Sequence, residues 1–561
     1  MDEAPFFQVN APQMGAACRI SSPASQTGPR PRAGNMPAAR SSARLAHYCP
    51  PGAPAMQDQD YERLVRRLEI EAQSAPRAFQ AKVMLLSGFA YLILFAMLGV
   101  LAALVVAGFH FARESHSTWI TFKLALLGVA VAGLLFGVLR AFLARLPEPE
   151  GREIGAAEAP RLFELIERIR RKLDGPPIHR VVVDPSFNAA IAQVPRFGLF
   201  GGHRNHLILG LPYLHAMTTK EMAATLAHEY GHLAGAHGKT GAWIYRQRIT
   251  FGTLMDKLQR ESDGDLLSGL LLAALVRFAP YFNAYTFVLS RQDEYDADAI
   301  SARLAGAEAA ATGLCRGALL GDWIAETFWS RLYAQAGERT APAFMPYTAM
   351  PAAFAAGYPD WATAERLAEA RRVRSGLHDT HPSLQDRLSA IDQPARVPPP
   401  VGKSAAETLL GPLAQQLARE FDTQWWQTEQ AEWQAHHRQC LENRAMIARL
   451  QGAPHDALNA FDLHELGRAL AREGRGEEAR TVLTRLLARP DGPFPQAELL
   501  LGRLLLVEDD HGGLEHLHRA AAADARLVDE CAQRGYDFLC RTRDADEASE
   551  WADTLVARHG V

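Results

Sequence analysis

The sequence predicts a mainly α-helical protein with a small β-sheet, preceded by a transmembrane helical hairpin and followed by an α-helical repeat. Three observations lead to this prediction. Two long apolar runs lie near the N-terminus, strand patterns alternate with amphipathic helix patterns in the middle, and Leu-Gly pairs recur near the C-terminus. With 561 residues, the chain is long enough for about two to four domains.

Residues 1–55 are rich in Pro, Ala, Arg, Gly and Ser and have almost no apolar periodicity. Such a segment cannot bury enough surface to offset the entropy lost on ordering, so we predict that it is disordered. A transit peptide is the alternative, and because Met56 opens a more ordinary sequence, translation of residues 1–55 stays an open question. Residues 56–82 predict an amphipathic juxtamembrane helix.

Residues 83–145 carry two apolar runs that predict a transmembrane hairpin, with spans at 83–109 and 119–139. The first run has no charged residue and exceeds the ~20 residues that cross a bilayer, whereas the second carries Lys123 near its start. Cations flank both runs on their outer sides, so both ends of the hairpin are predicted to lie in the cytoplasm. A buried hairpin of a soluble domain is the alternative.

Charge and cysteine content limit the possible function classes. The net charge of −4 gives no reason to expect a nucleic-acid partner. The six cysteines are scattered without a Cys-x-x-Cys pair, which favours a reducing compartment over a disulfide framework. A zinc site in this chain would therefore use histidine and carboxylate ligands.

Residues 150–395 predict one mixed globular domain. A helix pattern covers Arg161–Leu173, and strand patterns cover Ile178–Val183 and Asn205–Leu211. Helices and short strands in this order predict that helices pack around a small sheet.

Two further helical segments are predicted in the same domain. Thr218 and Glu221 form a capping box that opens one helix. The apolar run 266–289 is interrupted by polar residues and by Pro280, which predicts a pair of core or membrane-surface helices rather than a span. Whether this pair touches the membrane stays open.

The C-terminal part of the chain is predicted to be helical. Residues 396–450 predict a linker followed by a polar helix. Residues 455–561 predict tetratricopeptide-like repeats, because Gly467 and Gly502, each preceded by leucine, recur near the ~34-residue period of that repeat. An ordinary helical bundle is the alternative.

The motif His228-Glu229-Tyr230-Gly231-His232 carries the most specific chemical signal. On a helix, residues four positions apart share a face, so both imidazoles can reach one cation. Glu229 lies one position along, where its carboxylate can act as general base on a metal-activated water without being a ligand. A pair of ordinary core or surface histidines is the alternative.

Catalytic zinc takes three protein ligands and one open position, and the sequence offers two candidates for the third ligand. Glu294 and Asp298 share a helical face, so one can bind the metal while the other hydrogen-bonds a ligating imidazole. His237 is the other candidate, but it points away from His232 if the helix continues that far. A solvated acidic helix face is the alternative for the carboxylates.

Four separated segments resemble the motifs of the HtpX and CAAX prenyl endopeptidase family, which are gluzincin zinc metallopeptidases. In chain order they are SFNAAIAQ from Ser186, HEYGH from His228, SRQDEYDAD from Ser290, and DTHPS from Asp379 with Arg387 further on. The resemblance covers residues 150 to 395 and implies a zincin fold for this domain.

The resemblance also implies roles for particular residues. His228, His232 and Glu294 would hold one Zn²⁺ per chain, Glu229 would be the general base, and Asp298 would support a ligating histidine.

Four further residues match motifs whose roles are less defined. Asn188 and Ala189 would line the substrate cleft. His381 and Arg387 would stabilise the tetrahedral oxyanion or the closed site, with a purely structural role as the alternative.

These observations predict a membrane-anchored zinc endopeptidase that hydrolyses peptide bonds in proteins or peptides, with a role in membrane-protein quality control. It is expected to be an integral protein of a bacterial inner membrane, with lipid around its spans and its catalytic domain facing the cytoplasm. The repeat tail is predicted to bind a protein partner or another copy of the chain. The alternative is a catalytically silent assembly or adaptor protein that uses this tail, although an intact Glu229 argues against it.

Overall fold

The computed structural model describes residues 58–114, short pieces between 118 and 132, and residues 148–195, 203–234, 266–373, 381–452 and 458–560. The predicted disordered segment 1–55 and most of the predicted span 119–139 lie outside these residues. The chain forms two compact units, one built from Asn35–Ala325 with Pro346–Thr423 and the other from Glu326–Met345 with Gln424–Val561.

The first unit begins with two helices, α1 (Asp58–Ser74) and α2 (Pro76–Glu114), in place of the single helix predicted over 56–82. One face of α2 packs inside the protein, where Phe79 and Val83 are buried together with residues of α1. The opposite face exposes large apolar side chains: Leu85, Phe89, Leu92, Val100, Val106, Phe109 and Phe111.

The predicted transmembrane hairpin finds no support in the fold. Where the structure describes side chains, no helix is both long enough and apolar enough to cross a membrane. Within the predicted span 83–109, Val83 is buried against other helices of the unit, whereas Leu85 and Phe89 are exposed.

A four-stranded mixed sheet forms the β part of the unit, consisting of β1 (Arg152–Ile154), β2 (Arg180–Asp184), β3 (Ala189–Pro195) and β4 (His203–Gly210). The strand order is β1-β2-β4-β3, in which β2 and β4 run parallel and the outer strands run antiparallel to their neighbours. The sequence prediction of a mainly helical fold with a small sheet is confirmed, but it contained only the strands corresponding to β2 and β4.

The loop before β3 is held tightly against the end of β4. The Gly210 N–H donates to the Asn188 carbonyl at 2.7 Å. A Cβ atom at position 210 would lie 1.9 Å from the Ser186 carbonyl oxygen, so only glycine fits there. This contact fixes where the edge strand β3 begins.

Helices α3 (Pro160–Lys172) and α5 (Thr219–Ala234) follow from the local sequence as predicted, whereas the short helix α4 (Leu211–Ala216) between them was not predicted. The capping box at the start of α5 is formed, because the Thr218 N–H donates to Glu221 Oε2 at 2.8 Å and the Glu221 N–H donates to Thr218 Oγ1 at 3.3 Å. His237, near which this helix was predicted to end, lies outside the described residues.

Helix α6 (Leu266–Ala305) is continuous, so the prediction of a helix pair over 266–289 is wrong. Pro280 lies inside it and cannot donate a backbone hydrogen bond, a defect that costs about 3 kcal/mol in an isolated helix. In the next turns Ala284, Phe287 and Val288 are buried against α1 and α2. This burial offsets the missing hydrogen bond.

The described residues of the first unit also contain shorter helices, of which the first packs against both α5 and α6. They are α7 (Ala307–Trp323), α9 (Pro346–Ala356), α10 (Tyr358–Trp361), α11 (Ala364–Arg372) and α12 (Leu384–Ala390), while α8 (Trp329–Ala334) belongs to the second unit. Gly306 separates α6 from α7 with a φ of +101°, a backbone conformation that favours glycine.

The second unit is helical throughout its described residues. The long helix α13 (Pro412–Gln451) contributes its C-terminal part, followed by α14 (Ala460–Arg472), α15 (Gly476–Leu487), α16 (Pro495–Val507), α17 (Gly512–Ala523), α18 (Val528–Thr542) and α19 (Ala545–His559). The last six helices pack as three consecutive hairpins.

Each hairpin of this tail has a glycine where its two helices meet. Gly467 faces Leu483, Gly502 faces the backbone of Gly513, and a Cβ atom at Gly535 would lie 1.9 Å from the Trp551 ring. The first two glycines are the ones that predicted the repeat. The assignment of these hairpins to the tetratricopeptide class stays a prediction.

Candidate metal centre

Helix α5 brings two imidazoles together on one face. His228 and His232 are one turn apart, and their Nε2 atoms lie 3.1 Å from each other. Helix α6 crosses close to this face because Gly231 has no side chain, and a Cβ there would lie 3.2 Å from Ala297 Cα. The close crossing lets a residue of α6 reach both imidazoles.

That residue is Glu294. Its Oε1 lies 3.3 Å from His232 Nε2, and its Oε2 lies 3.6 Å from His228 Nε2. The three ligand atoms of this group all lie within 4.8 Å of one another. Two imidazoles and a carboxylate, brought together from two helices, match the donor set of a catalytic zinc site with one open position.

The residues present fit such an ion. Glu294 is only 6 % exposed, and in the described part of the chain its Oε2 accepts no hydrogen bond of good geometry, although His381 Nδ1 lies 2.9 Å away. A buried carboxylate oxygen without a hydrogen bond is costly unless something else compensates it, and a cation between the three side chains would do so.

Asp298, one turn after Glu294, holds the first histidine from behind. Its Oδ1 lies 2.9 Å from His228 Nδ1, so that Nδ1 carries the proton and Nε2 faces the metal position. Arg387 binds the same carboxylate with two hydrogen bonds, from Nε at 2.8 Å and from an Nη at 2.7 Å. This arrangement fixes the orientation of the imidazole.

The charges of the centre shift several pKa values. Burial raises the pKa of Asp298, but the charge and hydrogen bonds of Arg387 outweigh it and lower that pKa to about 2. Burial also opposes ionisation of Glu294, yet His381 and His232 hold its pKa well below the ordinary value. For His232, burial lowers the pKa, but the hydrogen bond and charge of Glu294 raise it to about 9. A metal entering here must displace a proton from this His–Glu pair.

Glu229 is not part of the group formed by the three candidate ligands. Its side chain points toward the edge strand, where Glu229 Oε2 accepts a hydrogen bond from the Ile191 N–H at 3.2 Å. Glu229 is buried, and the backbone of β3 holds one of its two carboxylate oxygens. Sequence reasoning found Glu229 but not Ile191, because a backbone donor leaves no signal in the residue type.

The model of peptidase family M48 matches residues 164–395. This part of the chain therefore resembles the peptidase domain of family M48. The match confirms the resemblance at family level and does not distinguish the HtpX-like from the CAAX prenyl endopeptidase-like members. Peptidases of this family depend on zinc, and the domain has the candidate site His228, His232 and Glu294. No curated protein matches the chain.

Three other predicted site residues are His381, Asn188 and Ala189, and their positions can be given relative to Glu294 and Glu229. His381 is adjacent to it, with Nδ1 at 2.9 Å from Glu294 Oε2 and about a quarter of its side chain exposed. Asn188 and Ala189 lie at the start of β3, two to three positions before the Ile191 N–H that meets Glu229.

A buried ion pair anchors the start of the helix that carries the metal-binding motif. Arg316 of α7 is fully buried and donates to both carboxylate oxygens of Glu221, at 3.0 to 3.2 Å. It also donates to the Pro399 carbonyl at 2.9 Å. Glu221 was recognised as a capping residue, but its partner is 95 residues away in the sequence, and no local pattern could reveal it.

Proposed function

We propose that this protein is a zinc-dependent endopeptidase in which His228, His232 and Glu294 hold one zinc ion and Glu229 is the general base. The observation that carries the proposal is the convergence of the three ligand atoms within 4.8 Å in a domain that resembles the peptidase domain of family M48. When bound, zinc would polarise the scissile carbonyl and acidify a coordinated water.

The position of Glu229 supports its role as base. It is adjacent in sequence to the ligand His228, and its carboxylate lies outside the ligand group, so it can accept a proton without leaving the metal. The hydrogen bond from the Ile191 N–H holds one oxygen and leaves the other available. The proton accepted in the attack would then pass to the leaving amine, as for other general bases.

Strand β3 supports a mode of substrate binding. It forms the edge of the sheet in the described residues, and its Ile191 meets the general base. An edge strand has backbone groups that can pair with an extended peptide, and such pairing would align the peptide with Glu229. We therefore place the substrate along β3, with Asn188 and Ala189 at one end of the cleft.

His381 and Arg387 are given different roles in this proposal. His381 is partly exposed beside Glu294, so it is available to donate to an oxyanion as well as to hold the carboxylate. Arg387 is engaged by both oxygens of Asp298, which leaves it a positioning residue that acts through Asp298 on His228.

Location at a bacterial inner membrane with a cytoplasmic catalytic domain, and a role in membrane-protein quality control, belong to the same proposal. They rest on the uncharged run 83–109 and on the exposed apolar side chains of α2. Membrane fractionation tests the proposed location separately. If carbonate extraction released the protein from the membrane fraction, the membrane location would be refuted and the peptidase assignment would still stand. The three helix hairpins of the tail support binding of a partner or of a second copy.

Cleavage of an unfolded protein such as casein tests the peptidase activity. We expect cleavage by purified chain to stop with a zinc chelator and to return with added Zn²⁺. The Glu229→Gln variant should keep the zinc content of the parent chain and lose cleavage by about 100-fold or more. Glu365→Gln, which changes an exposed glutamate of the same domain, should cleave like the parent chain. Chelator-resistant cleavage, or an active Glu229→Gln variant, would refute the proposal and favour the adaptor alternative.

A further inference from the structure

A second pair of imidazoles lies in the helical tail, far along the sequence from the pair formed by His228 and His232. His518 of α17 and His559 of α19 approach each other with their Nε2 atoms 3.5 Å apart. Their ring centroids are 4.8 Å apart and their planes make an angle of 74°. Both side chains are partly exposed, so the space between them can be reached from solvent.

The geometry of this pair is close to that of the histidine pair in the metal centre. His228 and His232 have Nε2 atoms 3.1 Å apart, ring centroids 4.7 Å apart and an interplanar angle of 87°. Two nitrogens that each lie ~2.0–2.1 Å from a tetrahedral zinc are separated by about 3.3–3.4 Å. The values for the two pairs lie on either side of this separation.

A direct hydrogen bond accounts poorly for the contact in the tail. An N–H···N hydrogen bond is usually about 2.7–3.2 Å long, and the distance between His518 Nε2 and His559 Nε2 is 3.5 Å. The Arg558 guanidinium is also distant, with its Nη1 at 3.4 Å from His518 Nε2. Neither contact engages the nitrogen lone pairs strongly.

We propose that His518 and His559 form a second metal site, which takes a divalent transition metal and connects the terminal helix α19 to α17. Imidazole nitrogen suits Zn²⁺, Ni²⁺ and Cu²⁺, whereas Mg²⁺ and Ca²⁺ require oxygen ligands. The two histidines leave the remaining coordination positions to water or to an added ligand. This site is independent of the proposed peptidase activity.

Protonation and charge act on this site in opposite directions. An imidazole must be neutral to bind a metal, and an imidazole with the ordinary pKa of about 6.5 is mostly neutral at pH 7. The positive charge of Arg558 opposes a cation at the same place. Because Arg558 is exposed, its side chain can turn away, and its removal should make metal binding tighter.

Metal binding here would stabilise the end of the tail. The two histidines are 41 residues apart, and only the folded tail brings them together. A ligand that binds the folded but not the unfolded state stabilises the folded state by mass action. The metal would therefore protect α19, the last helix of the described tail, against fraying.

Zinc binding to the full chain tests the proposal. Purified chain would be dialysed against increasing Zn²⁺, and bound zinc measured by elemental analysis. We expect a second zinc per chain, bound at least about tenfold more weakly in His518→Ala and in His559→Ala, and more tightly in Arg558→Gln. His464→Ala, which removes a partly exposed tail histidine on α14, should bind like the parent chain.

Two further measurements keep the test decisive. His518→Gln retains a polar side chain of similar size, so it should lose the second zinc while its circular dichroism shows a folded tail. Excess Mg²⁺ should not displace the second zinc, whereas Ni²⁺ should. Unchanged second-zinc binding in both histidine variants, or weaker binding in Arg558→Gln, would overturn the proposal.

Discussion

Replacement of Asp298 by asparagine tests how the metal centre holds its first histidine. Asparagine has the same size and can still accept the His228 Nδ1–H through its amide oxygen, but it has no charge. The carboxyl of Asp298 has a pKa of about 2 instead of 3.8, which corresponds to roughly 2 kcal/mol of favourable interaction in the charged form. We therefore expect zinc affinity to fall by about 10–100-fold, the usual effect of losing such a support.

The Arg387 guanidinium, whose charge Asp298 neutralises, should increase the loss of zinc affinity in Asp298→Asn. Arg387 lies 3.8 Å from Glu294 Oε2 and 3.4 Å from His228 Nδ1, and only 15 % of its side chain is exposed. Without Asp298 its charge would turn toward Glu294 and compete with zinc for that carboxylate. Arg387→Gln combined with Asp298→Asn should therefore bind zinc better than Asp298→Asn alone.

The zinc dissociation constant, measured by competition with a chelator of known affinity, reads out all four members of this double-mutant cycle. A change of less than twofold in Asp298→Asn, or strictly additive effects of the two substitutions, would refute the reasoning.

Acid unfolding gives a second readout of the Asp298→Asn substitution. Because the pKa of Asp298 is lowered in the folded state, its contribution to stability is present above pH 3.8 and lost as pH falls through about 2. Asp298→Asn should lack this part of the acid transition.

Three further substitutions test other parts of the fold. Ile191→Pro removes the backbone N–H that meets the general base, so proteolysis should fall by about 10–100-fold with zinc retained, whereas Ile191→Ala should stay active. Glu221→Gln leaves the buried Arg316 without its counter-charge and should lower the free energy of unfolding in urea by about 3–5 kcal/mol. Gly535→Val cannot be accommodated beside the Trp551 ring, so hydrogen exchange should show loss of protection in α18 and α19 while zinc binding is retained.

Features that depend on neighbouring residues could be read from the sequence. The capping box of Thr218 and Glu221, the helix with the histidine motif, and the shared face of Glu294 and Asp298 all follow from helix geometry over one or two turns. The meeting of the two helices could be expected only from the family resemblance. Its physical cause, the close approach at Gly231, became visible only in the structure.

Features that depend on distant residues could not be predicted. Pro280 predicted a break in the helix, but the helix continues through it because apolar residues of the following turns are buried. Strand β3 buries Ala190, Ala192 and Val194 in alternation, but its sequence has almost no polar residues between them, so it shows no clear alternation of apolar and polar residues. The third tail glycine, Gly535, follows arginine instead of leucine, so it escaped the Leu-Gly pattern that revealed the first two hairpins.

The zinc content of two purified variants tests the central claim most directly. In chains that also carry His518→Gln, so that the tail histidines add no zinc, Glu294→Ala should fold, contain less than about one tenth of the zinc of the His518→Gln chain and lose proteolysis, because it removes the third candidate ligand. His237→Ala should keep both zinc and activity at least in part, and Asp296→Asn, an exposed carboxylate on the same helix as Glu294, should behave like the parent chain. Full zinc in folded Glu294→Ala together with loss of zinc in His237→Ala would contradict the account, since the centre would then hold its metal with three histidines.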